Sequence, residues 1–282
     1  MRYQDKKQYA FWDRYRKDLR LGSEPDNLSY GDWEKKKAAL EKDIVRWCYY
    51  FFPQYASAPF ASFQVDFLRR ITRNMEYYEV LSWSRELAKS TVTMFAVLYI
   101  VLTGSKRNVL LVYNSLDNAV RLLEPYRANL DSNLRLVQYY GLQASLGHWQ
   151  SGEFITRQGV SFRALGAGQS PRGSRNDNVR PDILLLDDFD TDEDCRNADI
   201  IKKKWDCFEQ ALYATRSIDK PLTVIFCGNI IAKDYCITRA DKVADKWDIV
   251  NIRNKDGVSS WKDKNSEEHI YRVLSKISTR SA

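Results

Sequence analysis

The sequence predicts an α/β fold with a mainly parallel central sheet flanked by helices. Short apolar segments suited to strands alternate with helical patterns over residues 78–228, as expected for repeated βαβ units. One of these segments, residues 183–186, is entirely apolar and is followed by Asp187 and Asp188, which indicates a buried parallel strand with a polar tip. With 282 residues, of which 44% are hydrophobic, the chain is long enough for one large domain with extensions.

The N-terminal part predicts helices. Apolar residues recur at helical spacing in residues 33–40 and 44–52, and Pro53 and Pro59 follow. We therefore expect residues 1–60 to form a helical extension or lid. Residues 66–71 then predict a helix that packs beside the first core strand.

The core elements follow in order, and each is predicted from its apolar pattern and its turn residues. Gln158 and Gly159 predict a hairpin turn, which we interpret as an insertion between the alternating units. Asn114 and Ser115 are candidate caps for the helix predicted at residues 116–130. The predicted strands are residues 78–81, 109–113, 153–156, 160–163, 183–187, 222–228 and the edge segment 249–252, and the predicted helices are residues 94–102, 116–130 and 197–215, with an exposed loop at residues 166–181.

Composition excludes several classes of protein. The five cysteines form no C-x-x-C pair, and the only histidines are His148 and His269, so we expect reduced thiols and no structural zinc site. The longest apolar run, residues 94–102, is too short to cross a bilayer, and residues 1–7 lack an apolar signal core. We therefore expect a cytoplasmic protein with no membrane partner. A formal charge of +7 is compatible with a polyanionic partner or with a plain basic surface.

A phosphate-binding loop is predicted at residues 84–91. Lys89 and Ser90 precede an apolar helix, as in the pattern G-x-x-x-x-G-K-[ST], although Trp83 and Ala88 stand where glycines are expected. Lys89 can neutralise β/γ-phosphate oxygens and Ser90 can ligate Mg²⁺. Because ligands collect at the carboxyl ends of parallel strands, we expect both to lie in one crevice with Asp187, Asp188 and Asn229. The sequence thus predicts a P-loop NTPase with a RecA/ASCE-like core.

The ordered set of segments resembles the ATPase domain of the large terminase subunit, the DNA-packaging motor of tailed bacteriophages. The order and spacing of the segments carry the resemblance, and together they span nearly the whole chain. These segments are residues 60–67, 84–91, 170–175, 180–188 and 225–229.

The resemblance implies ATP and Mg²⁺ as cofactors and assigns a role to each matching residue. Ser90 and Asp187 hold the metal. Asp188 stands where the family has a water-orienting glutamate and is one methylene shorter, so Asp190 and Glu193 remain alternatives. The implied catalytic residues are Asp188, Arg172 and Arg85, and the implied nucleotide-binding residues are Gln64, Ser84, Arg85, Glu86, Leu87, Ala88, Lys89, Ser90, Thr91 and Asn229.

Four of these roles have specific alternatives. Gln64 resembles an adenine-reading glutamine, with an ordinary exposed helix residue as the alternative. Arg85 resembles a γ-phosphate sensor, with a surface ion pair to Glu86 or Asp190 as the alternative. Arg172 resembles an arginine finger inserted by a neighbouring subunit, whereas Arg172, Arg175 and Arg180 together also suit contacts with DNA phosphates. Asn229 resembles a coupling residue, with a simple turn as the alternative.

The implied function is an ATPase motor that moves double-stranded DNA into a procapsid. Its implied partners are double-stranded DNA, a portal protein, a small terminase subunit and further copies of the chain in a ring on the portal, with a monomer as the state of the chain alone. We expect a core at residues 61–253 and, at residues 254–282, a linker leading towards a C-terminal nuclease domain that is absent, because the linker lacks the spaced carboxylates of a two-metal nuclease. The alternatives are a helicase-like ATPase and a non-catalytic, nucleotide-gated module that docks on a portal.

Overall fold

The structure is a computed structural model that describes residues 3–56, 58–171, 173, 176, 179–230 and 233–278. Four helices precede the first strand. Three of them lie within residues 1–60, where helices are predicted, and the fourth includes the helix predicted for residues 66–71. They are α1 (Tyr3–Gly22), α2 (Tyr30–Glu41), α3 (Ile44–Phe51) and α4 (Ser62–Arg73).

Each predicted core strand and helix has a counterpart, while the elements at residues 134–140, 144–150 and 236–240 were not predicted. A π-helical and a 3-10 turn at residues 208–215 continue the helix predicted for residues 197–215. In chain order they are β1 (Tyr77–Trp83), α5 (Lys89–Leu102), β2 (Asn108–Tyr113), α6 (Leu116–Ser132), α7 (Leu134–Tyr140), β3 (Ala144–Gln150), β4 (Glu153–Thr156), β5 (Ser161–Gly166), β6 (Ile183–Asp187), α8 (Ala198–Cys207), β7 (Thr223–Cys227), α9 (Cys236–Ala240), β8 (Lys246–Val250) and α10 (Glu267–Ser278).

Within the described residues, eight strands form one mixed sheet in the order β3-β4-β5-β2-β6-β7-β1-β8. The six strands from β5 to β8 in this order run parallel, and β4 pairs antiparallel with both β3 and β5. Strand β7 lies between β1 and β6. The carboxyl ends of β1, β7 and β6 are therefore neighbours at one edge of the sheet, where α/β proteins bind their ligands.

Helices cover both faces of the sheet, so the parallel strands are buried on both sides. Leu81 and Leu185 face a core that includes side chains of α3, α4, α5 and α6. Val80 and Leu184, their chain neighbours, face a second core closed by α8 and α9. This double burial explains why β6 is apolar at four successive positions instead of alternating. The fold is a three-layer α/β/α arrangement.

The N-terminal helices pack against α6 and α7. The Trp47 indole donates to Tyr140 Oη at 2.8 Å, and Arg16 lies 3.5 Å from a Glu124 carboxylate oxygen. Asp43 caps α3 by accepting from Val45 N at 3.0 Å. The extension is thus fixed on one flank of the core.

The predicted hairpin is present, but the interpretation of its second strand as an insertion is wrong. Strand β5 pairs antiparallel with β4 and also pairs in parallel with β2 over six residues, from Ser161 to Gly166. It is therefore a core strand, and β3 beyond it was not predicted. A local alternation of apolar and polar residues predicts a strand but does not specify its partners.

The C-terminal segment contacts the core more closely than a linker would. Trp261 is 5% exposed, and its indole donates to Pro59 O at 2.7 Å. The edge strand β8 begins at Lys246, three residues before the predicted segment 249–252. The limits of extension, core and linker at residues 60 and 253 stay predictions.

All five cysteines are free, and Cys48, Cys227 and Cys236 are buried. Among the residues that the structure describes, no helix combines the length and the apolarity needed to cross a lipid bilayer.

Candidate nucleotide site

The predicted phosphate loop connects β1 to α5 and has left-handed backbone at two residues. Glu86 has a φ of 71° and Ala88 a φ of 57°. Ala88 stands at the second glycine position of the pattern, so the chain keeps the conformation that glycine favours with a residue that has a Cβ. The loop is anchored at its start, where Ser84 N donates to Val250 O at 2.8 Å.

The first glycine position is filled by a strand residue. Strand β1 continues to Trp83, two residues beyond its predicted end, and the Trp83 side chain is fully buried. It packs edge-on against Phe63 and Phe67 of α4, and its indole lies 3.3 Å from Asp248 Oδ2. A large side chain is tolerated here because it packs into the core beneath α4.

Lys89 and Ser90 form the first turn of α5. Lys89 Nζ lies 3.4 Å from Trp83 O, across the loop. Ser90 Oγ donates to Asp187 Oδ2 at 2.6 Å. The helix N-terminus, with its unpaired N–H groups and positive end of the dipole, thus opens beside the carboxylate at the end of β6.

Asp187 is a buried carboxylate with opposing electrostatic neighbours. It is 3% exposed and lies in register with Cys227 of β7. Burial raises its pKa to about 6, and the adjacent Asp188 charge acts in the same direction, while the Ser90 hydroxyl and Lys89 lower it. An ionised Asp187 is therefore favoured by added positive charge.

The residues at this point fit Mg²⁺. A serine hydroxyl and a carboxylate are hard oxygen ligands, and Mg²⁺ is commonly held by one or two such groups together with substrate phosphates and water. In the described part of the chain, no group of three or more His, Cys, Asp or Glu side chains is placed to hold a metal by itself. The donor set therefore suits a metal that arrives with a phosphate ligand.

Asp188 follows β6 in a left-handed conformation, with a φ of 40°. Its N–H donates to Cys227 O at 3.1 Å, which extends the pairing of β6 with β7 by one residue. Its Oδ2 accepts a hydrogen bond from the Tyr113 hydroxyl at 2.9 Å. Burial, and then the Asp188 charge, raise the pKa of Tyr113, so this phenol remains a donor.

Lys89, Ser90, Asp187 and Asp188 line one cleft with a volume of about 460 Å³. A second pocket of about 220 Å³ adjoins it and shares Arg85, Asp188 and Asn229. Ten of the predicted residues line the larger cleft, namely Ser84, Arg85, Glu86, Ala88, Lys89, Ser90, Thr91, Asp187, Asp188 and Asn229. The sequence therefore identified most of this surface.

Gln64 and Leu87 lie behind the loop instead of lining the cleft. Gln64 is fully buried, so the alternative of an exposed helix residue is wrong. Its Oε1 accepts from Ala61 N at 2.9 Å and its Nε2 donates to Leu87 O at 3.0 Å. Gln64 thus joins the start of α4 to the phosphate loop, and its adenine-reading role stays a prediction.

The alternatives for the catalytic carboxylate differ in their contacts. Asp190 Oδ2 accepts from Cys236 N at 2.9 Å and so caps α9, while Asp190 also lines the smaller pocket. Glu193 precedes a short 3-10 turn. Of the acidic candidates, Asp188 alone among the described residues lines both pockets.

The arginines fall into three groups. Arg85 lines both pockets, and within the described residues neither Glu86 nor Asp190 forms a salt bridge with it. Arg180 is exposed and precedes β6, at the edge of the sheet opposite the cleft. The predictions for Arg172 and Arg175 lie outside the described residues.

Two residues of the site were not predicted. Tyr113 ends β2, and its position at the carboxyl end of a predicted strand was an available signal. Lys264 lines the larger cleft, and its Nζ donates to Glu86 O at 2.9 Å. No sequence signal identifies Lys264, because its position depends on the path of a segment distant in the chain.

The sheet topology and the loop between β1 and α5 define an α/β protein with an open cleft at the carboxyl ends of its parallel strands. No protein-family model matches the chain, and no curated protein matches it. Two solved structures are among those to which the chain is similar. The HK97 bacteriophage large terminase is 14% identical with a TM-score of 0.49, over 85% of this chain and 52% of that one. A complex of S. cerevisiae Dbp5 with Nup159, Gle1, IP6 and ADP is 11% identical with a TM-score of 0.44, over 84% and 59%.

Both similarities concern the fold alone. The chain spans between half and three fifths of the length of these two structures. The HK97 protein belongs to the family that the sequence segments resemble.

Proposed function

We propose that this protein is the ATPase motor domain of a viral terminase large subunit, which hydrolyses ATP with Mg²⁺ to move double-stranded DNA into a procapsid. The observation that carries the ATPase assignment is the 2.6 Å contact between Ser90 Oγ and Asp187 Oδ2. It joins the first turn of α5 to the end of β6, across the intervening β7. This is the arrangement in which a P-loop hydroxyl and an acidic strand tip share Mg²⁺.

Each side chain has a defined task in this proposal. Lys89 neutralises charge on the β- and γ-phosphates, and Arg85, at the boundary of the two pockets, contacts the γ-phosphate. Asp188 orients a water that attacks the γ-phosphorus, the bond to the β-phosphate oxygen breaks, and ADP and phosphate form. Mg²⁺, held by Ser90 and Asp187, supplies charge neutralisation at the phosphates when bound.

The motor function requires more than one subunit. Arg172 acts as a finger from a neighbouring copy, in a ring that assembles on a portal protein together with a small terminase subunit. The order of Arg172 and Gly173 in the sequence, which resembles the arginine-glycine loop of the terminase family, supports this role. Contacts to DNA are to phosphates and therefore weaken as salt rises.

The test compares Mg²⁺-dependent ATP binding and phosphate release in the wild-type chain, K89A and K255A. Lys255 is an exposed turn residue, so K255A is the matched control for removing one positive charge. We expect K89A to lose at least about tenfold in nucleotide affinity, because a charge-assisted contact contributes about 1.5–3 kcal/mol. K89A with the parent affinity and rate would contradict the site assignment.

The type of DNA that is acted on and the rate of phosphate release distinguish the proposed motor from its two alternatives. A helicase-like enzyme unwinds a forked duplex, whereas a packaging motor is stimulated by unforked double-stranded DNA. A docking module binds ATP without Lys89-dependent phosphate release at any protein concentration. Release that rises with protein concentration and with duplex DNA supports the motor.

A further inference from the structure

The contact between Tyr113 and Asp188 has no counterpart in the sequence-based assignment of the site. The Tyr113 hydroxyl donates to Asp188 Oδ2 at 2.9 Å, across two neighbouring parallel strands, β2 and β6. Tyr113 is partly buried, and both residues lie at the carboxyl edge of the sheet. The hydrogen bond therefore joins a strand end to the carboxylate that faces both pockets.

Asp188 needs such a partner because its side chain is short and its backbone is unusual. An aspartate carboxylate turns about two bonds only, so its direction depends on the backbone and on one hydrogen bond. The backbone is fixed by the left-handed φ of 40° and by the bond from Asp188 N to Cys227 O. The Tyr113 hydroxyl engages Oδ2, which leaves Oδ1 as the acceptor for a further donor.

We propose that Tyr113 is a positioning residue that orients the Asp188 carboxylate, with Oδ2 held by the phenol and Oδ1 available to the attacking water. This inference rests on the proposed ATPase function. It also accounts for how an aspartate can serve where a longer glutamate is expected, since the phenol restricts a carboxylate that cannot extend as far. Tyr113 itself does not contact the reacting atoms.

The first experiment measures kcat and KM for ATP hydrolysis in Y113F, which removes only the hydroxyl. We expect kcat to fall about tenfold, since one hydrogen bond of about 1–1.5 kcal/mol is lost from the arrangement that reacts. KM and the affinity for ATP should change less than twofold, because the phosphate loop is untouched. In a D188N background, adding Y113F should cause no further loss of kcat.

The matched control is Y78F. Tyr78 is buried in β1, and its hydroxyl has no hydrogen-bond partner among the described residues. This variant also removes one tyrosine hydroxyl from a central strand but leaves Asp188 untouched, so kcat should stay at the parent value. A purely structural role of Tyr113 would instead lower the denaturation midpoint, would lower kcat and raise KM together, and would add to the D188N effect.

A second experiment does not depend on hydrolysis. In protein labelled with ¹³C at tyrosine Cζ, the Tyr113 resonance, assigned from Y113F, should shift on D188N substitution, because the acceptor changes from a carboxylate to an amide. An unchanged resonance would overturn the inference, as would Y113F with the parent kcat. If K89A hydrolysed ATP at the parent rate, the proposed function would be contradicted. The tyrosine resonance would still show whether Tyr113 contacts Asp188.

Discussion

Replacing Ala88 by glycine should stabilise the protein slightly, although Ala to Gly changes normally destabilise. Ala88 has a φ of 57° and a ψ of 30°, a left-handed conformation that costs a residue with a Cβ about 1–2 kcal/mol. Glycine removes that cost but adds about 0.4–1 kcal/mol of unfolded-state entropy. The half-buried methyl group contributes about 0.4 kcal/mol, half of the value for a buried CH₂. From mid-range values, the net gain is about 0.4 kcal/mol.

The assay is urea denaturation of A88G beside A10G. Ala10 is exposed in the interior of α1, where the same change should cost about 1 kcal/mol. We therefore expect the two variants to differ by about 1.4 kcal/mol, with midpoints on opposite sides of the parent. If A88G is destabilised as much as A10G, the loop does not have the left-handed backbone, and the loop geometry described above is wrong. Nucleotide affinity should be retained in A88G.

Two further predictions concern stability. Glu79 is fully buried, and this burial raises its pKa to about 7 although Arg70 opposes the shift. Between these two pKa values, Glu79 is protonated in the folded protein and ionised in the unfolded chain, where its pKa is near 4.5. The stability of the parent relative to E79Q should therefore fall as pH rises from about 4.5 to 7. A pH-independent difference in urea midpoints would contradict this prediction. W261F should cost about 1–3 kcal/mol by urea denaturation, because it loses the bond to Pro59 O and some buried area; an unchanged midpoint would show that the segment adds no stability.

The order of elements and the face of the site could be predicted from sequence because both depend on local patterns. Residues 183–187 are predicted as a buried strand and form β6 with those bounds. Four successive apolar residues are typical of a parallel strand that is buried on both faces. Ser115 was a candidate cap, and it is the N-cap of α6. The convergence of Lys89, Ser90 and Asp187 followed from a general rule for parallel sheets.

Long-range pairing could not be predicted in the same way. The residues of β5 fit a hairpin strand and a core strand equally well, and its parallel pairing with β2 depends on a partner fifty residues away in the chain. Lys264 reaches the phosphate loop only because Trp261 is buried against Pro59. Neither contact leaves a pattern in neighbouring residues.

The departures from the expected loop pattern are explained by two different compensations. Trp83 belongs to strand β1 instead of to the loop, and its side chain packs between Phe63 and Phe67. Ala88 keeps the left-handed backbone conformation, although it is a residue with a Cβ. A pattern search treats both positions as missing glycines. The structural requirement is instead a left-handed residue directly before Lys89 and a chain that turns after β1, and any residue compatible with that geometry can form the loop.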